Sequence, residues 1–241
     1  MPVALRPPPG SEQPASTPAI EPLENGDRLS AREFLRRFEA MPPQLKKAEL
    51  IEGIVYMGSP VRITQHDKPD NIIQTWLGYY AARTPGIECA SNTTDRLDVE
   101  NVPQPDALLR ILPQCGGRSQ VDADGYLNGP AELVAEVAAS SASLDWNDKL
   151  RVYRRAGVQE YLVWRTVDNK FDWLRLEGDE YRPNMPGPHW IIHSVIFPGL
   201  SLDLAGLLAM NASRVLDSLE ASLRTPSHAA FVASLKELGK L

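Results

Sequence analysis

The spacing of hydrophobic and polar residues predicts that the folded part of the chain begins with a helix. Ser30 and Glu33 have the spacing of a capping box, in which a serine and a glutamate satisfy the first free N–H groups of a helix. A helix is therefore expected over residues 31–41. Pro42-Pro43 ends it, because proline cannot continue the helical hydrogen bonds.

The middle of the chain alternates between strand-like and helical spacing. Two β-prone pieces in residues 48–57 meet at Glu52-Gly53 and predict a hairpin. Apolar residues recur at helical spacing over residues 64–82, where Pro69 either begins or kinks the helix. A Gly- and Asp-rich stretch, residues 113–130, is expected to be a loop. Strands are expected over residues 86–91, 95–99, 105–112, 131–138, 160–165 and 171–176, with Tyr181 in the same meander.

Helices are expected on both sides of these strands. Ser143 is the predicted N-cap of a helix over residues 145–156, and Gly157 closes it. The last thirty or so residues have the pattern of two short amphipathic helices broken at Pro226. Strands dominate the middle and helices flank them, so the predicted fold class is mixed α/β (α+β) with a central sheet.

Composition divides the chain into one domain and two appendages. Residues 1–27 contain seven prolines and almost no periodicity, which predicts a flexible Pro-rich tail. With 241 residues and 43% hydrophobic content, the remainder can build one sizeable core. We expect a domain over residues 28–208 and a C-terminal helical extension over residues 209–241.

Charge and cysteine content narrow the classes of function. No stretch approaches the roughly 18 consecutive apolar residues of a membrane span, so a soluble, cytoplasmic protein without membrane contact is expected. Cys89 and Cys115 match no metal-ligand spacing. The net charge of −6 counts weakly against binding DNA. A local basic face or a homodimer could still provide a groove for nucleic acid.

Two carboxylates stand in sequence contexts that suggest a metal site. Asp106 begins a strand-like run, and Glu136 lies among apolar neighbours on the next long strand. A buried carboxylate is costly unless a charged group or a cation accompanies it. Mg²⁺ prefers oxygen ligands and takes one or two protein carboxylates beside water and phosphate oxygens. Asp106 could alternatively be an ordinary residue at the start of a strand.

Lys149 is the candidate positive charge for this site. It shares one helix face with Asp145 and Tyr153, which lie four residues to either side, and it can reach back toward Glu136. The same spacing also fits a simple Asp145–Lys149 ion pair on a solvated surface.

Several short motifs together resemble one known family. They are Glu49-Leu-Ile-Glu-Gly, His66, Gln104-Pro-Asp106, Leu133-Val-Ala-Glu136-Val, Asp145 with Lys149 and Tyr153, Gly157-Val-Gln-Glu-Tyr161, and Pro198-Gly-Leu. Their order and spacing are similar to those of the Uma-type family of putative restriction endonucleases, in the PD-(D/E)XK nuclease superfamily.

The resemblance implies a restriction-endonuclease-like core, a central mixed β-sheet flanked by helices, and Mg²⁺-dependent cleavage of DNA, with Mn²⁺ as a substitute. The same resemblance implies that the metal ligands are Asp106, Glu136 and Glu49. The superfamily lysine two residues after the glutamate is replaced by Ala138. The resemblance implies that Lys149 takes the role of that lysine from another position and is catalytic together with the three carboxylates. His66 matches a family position without an assigned role.

Two other functions stay open at this point. The chain could be a catalytically inactive nuclease fold that serves as a DNA-binding or regulatory module, as the acidic balance would allow. It could also act on RNA or another phosphodiester, although the arginines around Tyr153 equally fit a solvated helix face.

Overall fold

The structure is a computed structural model that describes residues 20–42, 47–58, 66–139 and 143–240. In chain order its strands are β1 (Ala48–Ile51), β2 (Ile54–Met57), β3 (Ile87–Ala90), β4 (Asp95–Arg96), β5 (Ala107–Ile111), β6 (Gln120–Val121), β7 (Leu127–Asn128), β8 (Leu133–Ala138), β9 (Glu160–Arg165), β10 (Lys170–Glu177), β11 (Glu180–Pro183), β12 (Ile191–His193) and β13 (Ser201–Asp203). Its α-helices are α1 (Ala31–Ala40), α2 (Lys68–Arg83), α3 (Leu150–Ala156), α4 (Leu204–Leu208), α5 (Ala212–Leu223) and α6 (Pro226–Gly239).

Six strands form the central sheet in the order β11, β10, β9, β8, β5 and β3. Strands β8 and β9 are parallel, whereas the other neighbouring pairs are antiparallel. A parallel pair needs a crossover connection, and the helical segment that ends in α3 provides it. The predicted mixed sheet flanked by helices is therefore confirmed.

The pleat of β8 sends alternate side chains to opposite faces of this sheet. Val137 lies in a buried cluster with Trp76 of α2, whereas Val134 lies in a second cluster with Tyr153 of α3. Glu136 has the same parity as Val134, so its carboxylate points toward α3. The fold thus buries this acidic side chain between the sheet and the crossover helix.

The first helix confirms half of the predicted capping box. The Glu33 N–H donates a hydrogen bond to the Ser30 hydroxyl at 3.4 Å. The Glu33 carboxylate accepts hydrogen bonds from Arg36 and Arg37, because two guanidinium groups lie one turn along the helix. α1 ends at Ala40, one residue earlier than expected.

The β1–β2 hairpin follows the prediction, with its turn at Glu52-Gly53. Leu23 packs in a buried cluster with Phe34 and Leu50, although it lies in the stretch expected to be a flexible tail. The proline-rich composition concealed this apolar residue, and the packed chain begins before residue 28. The rest of the predicted tail, residues 1–19, lies outside the described ranges.

Strands β4, β7 and β6 form a separate three-stranded sheet, and two predictions for this part of the chain are wrong. The expected loop over residues 113–130 contains β6 and β7, which join at a turn where the Tyr126 N–H donates to the Asp122 carboxylate at 2.9 Å. The expected strand over residues 95–99 contracts to β4, because the next two N–H groups donate to the Asn101 carbonyl. Such two-residue strands are too short to show a hydrophobic period.

The burial of Asp95 in this small sheet predicts that the stability of the protein depends on pH. It is fully buried, and neither carboxylate oxygen has a hydrogen-bond partner within the described residues. Burial raises the pKa of Asp95 from 3.8 to about 8. Between these values the folded protein keeps a proton that the unfolded chain releases, so stability should fall as the pH rises through this window, by up to about 6 kcal/mol.

Asp95→Asn removes this titration. The variant should gain stability at about pH 8 relative to wild type and differ little at about pH 4, as measured by urea unfolding at each pH. An unchanged pH dependence of unfolding in Asp95→Asn would contradict the burial of an ionisable carboxyl at this position.

The remaining helices close the opposite face of the central sheet. Pro69 lies in the first turn of α2, where its missing N–H costs no helical hydrogen bond, and the two residues before this helix, His66 and Asp67, are π-helical. At the C-terminus the two predicted helices are α5 and α6, separated just before Pro226. Val215 and Leu235 of these helices pack in the same cluster as Trp76, so the expected extension contributes to the main core. Within the described ranges, no helix has the length and hydrophobicity needed to cross a membrane.

Candidate active site

Two neighbouring strands place Asp106 and Glu136 side by side. Ala107 of β5 pairs with Ala135 of β8 in antiparallel register, so Asp106, just before β5, lies opposite Glu136, the residue that follows Ala135 within β8. The Val137 N–H donates to the Asp106 carboxylate at 2.8 Å, which fixes this carboxylate at the edge of the sheet. Both side chains are largely buried.

Lys149 joins three carboxylates from three elements. Its ammonium nitrogen lies 2.9 Å from a Glu49 oxygen, 3.1 Å from a Glu136 oxygen and 3.3 Å from an Asp145 oxygen. The lysine side chain is only 4% exposed. The Asp145–Lys149 contact therefore exists but is buried, so the alternative of a solvated surface pair is wrong.

A widened helical turn places Asp145 and Lys149 in the cluster. Residues Leu144–Lys149 form a π-helical turn that continues into α3, where a regular α-helix was expected. Ser143 is not the predicted N-cap: its backbone is already helical, and its hydroxyl accepts a hydrogen bond from the Asn147 side chain. Gly157 ends the helix with a φ of 83°, as predicted.

Neutral groups hold the carboxylates in position. The Tyr153 hydroxyl donates to Glu136 at 3.0 Å, to the same oxygen that faces Lys149. The Gln104 N–H donates to Glu49 at 2.6 Å and so ties the hairpin to the segment leading into Asp106. Each predicted carboxylate is thus fixed by a donor on another element.

His66 and Asp70 lie on the other side of Asp106. The His66 ring nitrogen Nε2 is 3.5 Å from an Asp106 oxygen. One Asp70 oxygen accepts a hydrogen bond from Gln74, and the other is buried without a hydrogen-bond partner in the described part of the chain. The structure therefore brings His66 to the cluster, which the sequence alone did not decide.

Burial and charge shift the pKa values across this cluster. Burial raises the pKa of Glu136 well above its ordinary value and also raises the pKa of Glu49, and Lys149 offsets only part of each shift. Burial alone would lower the pKa of Lys149, but the surrounding carboxylates raise it well above its usual value. Lys149 is therefore a fixed positive charge.

The His66–Asp106 pair behaves differently. Burial alone would raise the pKa of Asp106, but the hydrogen bond from His66 and the charge of Lys149 outweigh it and hold this pKa below its usual value. The hydrogen bond to Asp106 in turn raises the pKa of His66. Asp106 therefore ionises more readily than Glu49 or Glu136.

The donor set fits a hard divalent cation in its chemistry. Glu49, Asp106, Glu136 and Asp145 face Lys149 as the one fixed positive charge among them, and carboxylate oxygens are the ligands that Mg²⁺ prefers. Among the described residues, no three His, Cys, Asp or Glu side chains form a ready-made metal cage. The lysine ammonium lies against Glu49 and Glu136 instead, so a bound Mg²⁺ would take one or two protein carboxylates and complete its shell with water.

Sequence reasoning named Asp145 and Tyr153 as neighbours of Lys149 but did not assign them to the site. Their spacing of four residues to either side of Lys149 was the available signal. Asp70 gave no such signal, because only the packing of α2 against the sheet brings it near Asp106.

Comparison with known proteins identifies a family and a similar fold. The family model Uma2, described as "Putative restriction endonuclease", matches residues 35–205. No curated protein matches the chain. The crystal structure of a putative nuclease of the DUF820 group from Anabaena variabilis is similar, with a TM-score of 0.56, 14% sequence identity and coverage of 73% of this chain and 98% of the other. At this identity the match shows a shared fold. The family match covers well over half of the sequence, and the chain belongs to the Uma2 family of putative restriction endonucleases.

Proposed function

We propose that this protein is a metal-dependent endonuclease that hydrolyses DNA phosphodiester bonds. The observation that carries this proposal is the buried Lys149 ammonium in contact with both Glu49 and Glu136, beside Asp106. Acidic residues next to a fixed lysine are the groups that phosphodiester hydrolysis needs, because charge develops on the phosphate oxygens. Family membership supports the same reaction class.

Asp106 and Glu136 are the proposed ligands of Mg²⁺, with Glu49 holding a metal-bound water or completing the ligand shell. A divalent cation bound here would lower the pKa of a bound water and neutralise charge on the phosphate. The Val137 N–H and the Tyr153 hydroxyl hold the two ligands in place, so little rearrangement is needed on binding.

Lys149 and His66 supply the proton-bearing groups. The three carboxylates keep Lys149 protonated, and its ammonium can orient a water or a phosphate oxygen beside Glu136. The hydrogen bond to Asp106 raises the pKa of His66 and so favours its protonated form, which can donate a hydrogen bond to a phosphate oxygen. Pairing of two chains and a cytoplasmic location stay predictions.

Calorimetric titration with Mg²⁺ and Mn²⁺ tests the metal site independently of cleavage. Wild type should bind at one site, and Asp106→Asn should bind at least about tenfold more weakly, because it loses the most readily ionised ligand. Asp122→Asn is the matched control, since its carboxylate holds a turn in the small sheet. Equal binding by wild type and Asp106→Asn would contradict the proposed ligand.

A further inference from the structure

A groove outside the carboxylate cluster has the chemistry of a ligand site. It lies between α3 and the β10–β11 hairpin and has a volume of about 490 Å³, within the range of small-molecule sites. Leu150, Leu174 and Pro183 provide apolar surface, and Trp146 and Tyr181 contribute aromatic rings. Such a surface suits a flat, apolar-faced molecule.

The charged side chains of the groove favour an anionic group on that molecule. Asp172 and Glu180 line the groove, but each is paired with an arginine at 2.6 Å, Asp172 with Arg165 of β9 and Glu180 with Arg182 of β11. The Arg165 guanidinium also lies 4.8 Å from the centroid of the Trp146 ring. Arg154 also lines the groove, donates to the carbonyl of Asp179 at 2.7 Å and has no ion-pair partner in the part of the chain that the structure describes. The groove therefore combines an arginine side chain with aromatic and apolar side chains.

The groove adjoins the carboxylate cluster on the same helical segment. Trp146, Leu150 and Arg154 each follow by one residue a member of the stripe Asp145, Lys149 and Tyr153, which faces the cluster, so they lie on the adjoining side of the same helical segment. The Tyr161 ring lies beneath this segment, with centroids 5.1 Å from Tyr153 and 6.0 Å from Tyr181. The two sites thus share one helix and one row of tyrosines.

We propose that this groove binds a nucleotide, with the base against Trp146 and Tyr181 and the phosphate toward Arg154. Aromatic side chains stack on any nucleobase, and an arginine guanidinium pairs with phosphate. The nucleotide can be free or an unpaired unit of a strand. The inference does not depend on cleavage, because the groove residues differ from the carboxylates and Lys149.

Tryptophan fluorescence and calorimetry in EDTA test the proposal without any cleavage readout. Deoxyadenosine monophosphate and an eight-nucleotide single strand serve as separate probes. Wild type should bind at least one of them with quenching, and Trp146→Leu should bind at least about tenfold more weakly, because a stacking surface is lost. Trp190→Leu is the matched control, because this tryptophan is 61% exposed and lies outside the groove.

Pro183→Glu is the second variant, chosen because Pro183 is exposed on an edge strand and its replacement adds a negative charge to the groove. It should weaken binding as Trp146→Leu does. Binding of the monophosphate assigns the groove to free nucleotides, and binding of the strand alone assigns it to nucleotides in a chain; both support the site. No binding of either probe, or wild-type binding by both groove variants, overturns it.

Discussion

Lys149→Met is expected to abolish cleavage and to destabilise the fold. Methionine would leave three carboxylates without their shared cation, those of the buried Glu136 and Asp145 and of the partly buried Glu49. Removing one partner of a buried ion pair costs about 3–5 kcal/mol. Loss of a preorganised charge at the reacting phosphate should lower the cleavage rate by at least about 100-fold. Urea unfolding and plasmid nicking measure the two effects.

The loss of stability in Lys149→Met should be smaller at about pH 5 than at about pH 8, because carboxyl groups that take up protons no longer need the lysine charge. Lys170→Met is the control, since this lysine is exposed at the start of β10. If Lys149→Met unfolded at the same urea concentration as wild type and nicked plasmid DNA normally, Lys149 would contribute neither to stability nor to cleavage.

Glu136→Gln is expected to remove cleavage while leaving the fold intact. The amide oxygen can still accept hydrogen bonds from Tyr153 and Lys149, so the packing is preserved. Because burial raises the pKa of Glu136, its ionised form is costly in the folded protein, and the variant should be at least as stable as wild type at neutral pH. Loss of one metal ligand should lower the cleavage rate by at least about 100-fold.

Glu160→Gln provides a control with similar burial. This glutamate lies on β9 and accepts hydrogen bonds from Ser194 and the Val195 N–H, away from the candidate site. Cleavage should persist in Glu160→Gln. Wild-type nicking by Glu136→Gln would show that this carboxylate takes no part in the reaction.

Local sequence signals predicted much of the fold. The Ser30 cap, the Glu52-Gly53 turn and the Gly157 stop depend on neighbours within a few residues, so their signals are legible in the sequence. Strands of five or six residues, such as β5 and β8, also show a clear pattern. Two-residue strands such as β6 do not, because their pairing depends on contacts made by the rest of the fold.

The site was partly predictable for the same reason. Glu136 was identified because a carboxylate among apolar neighbours needs a partner, and Lys149 was within helical reach. Neither the π-helical turn at Leu144–Lys149 nor the burial of Asp145 could be inferred from the sequence. The pattern of polar and apolar residues in this segment fits a regular α-helix equally well. Asp70 depends wholly on how α2 packs.

Cleavage of supercoiled plasmid DNA as a function of Mg²⁺ concentration tests the central claim most directly. Wild type, Asp106→Asn and Glu136→Gln should be compared at equal folded concentration, as judged by circular dichroism. We expect nicking by wild type that requires the divalent cation, and loss of nicking in both variants. Wild-type protein that binds DNA but leaves it intact with either Mg²⁺ or Mn²⁺ would contradict the proposed nuclease and favour a DNA-binding or regulatory module.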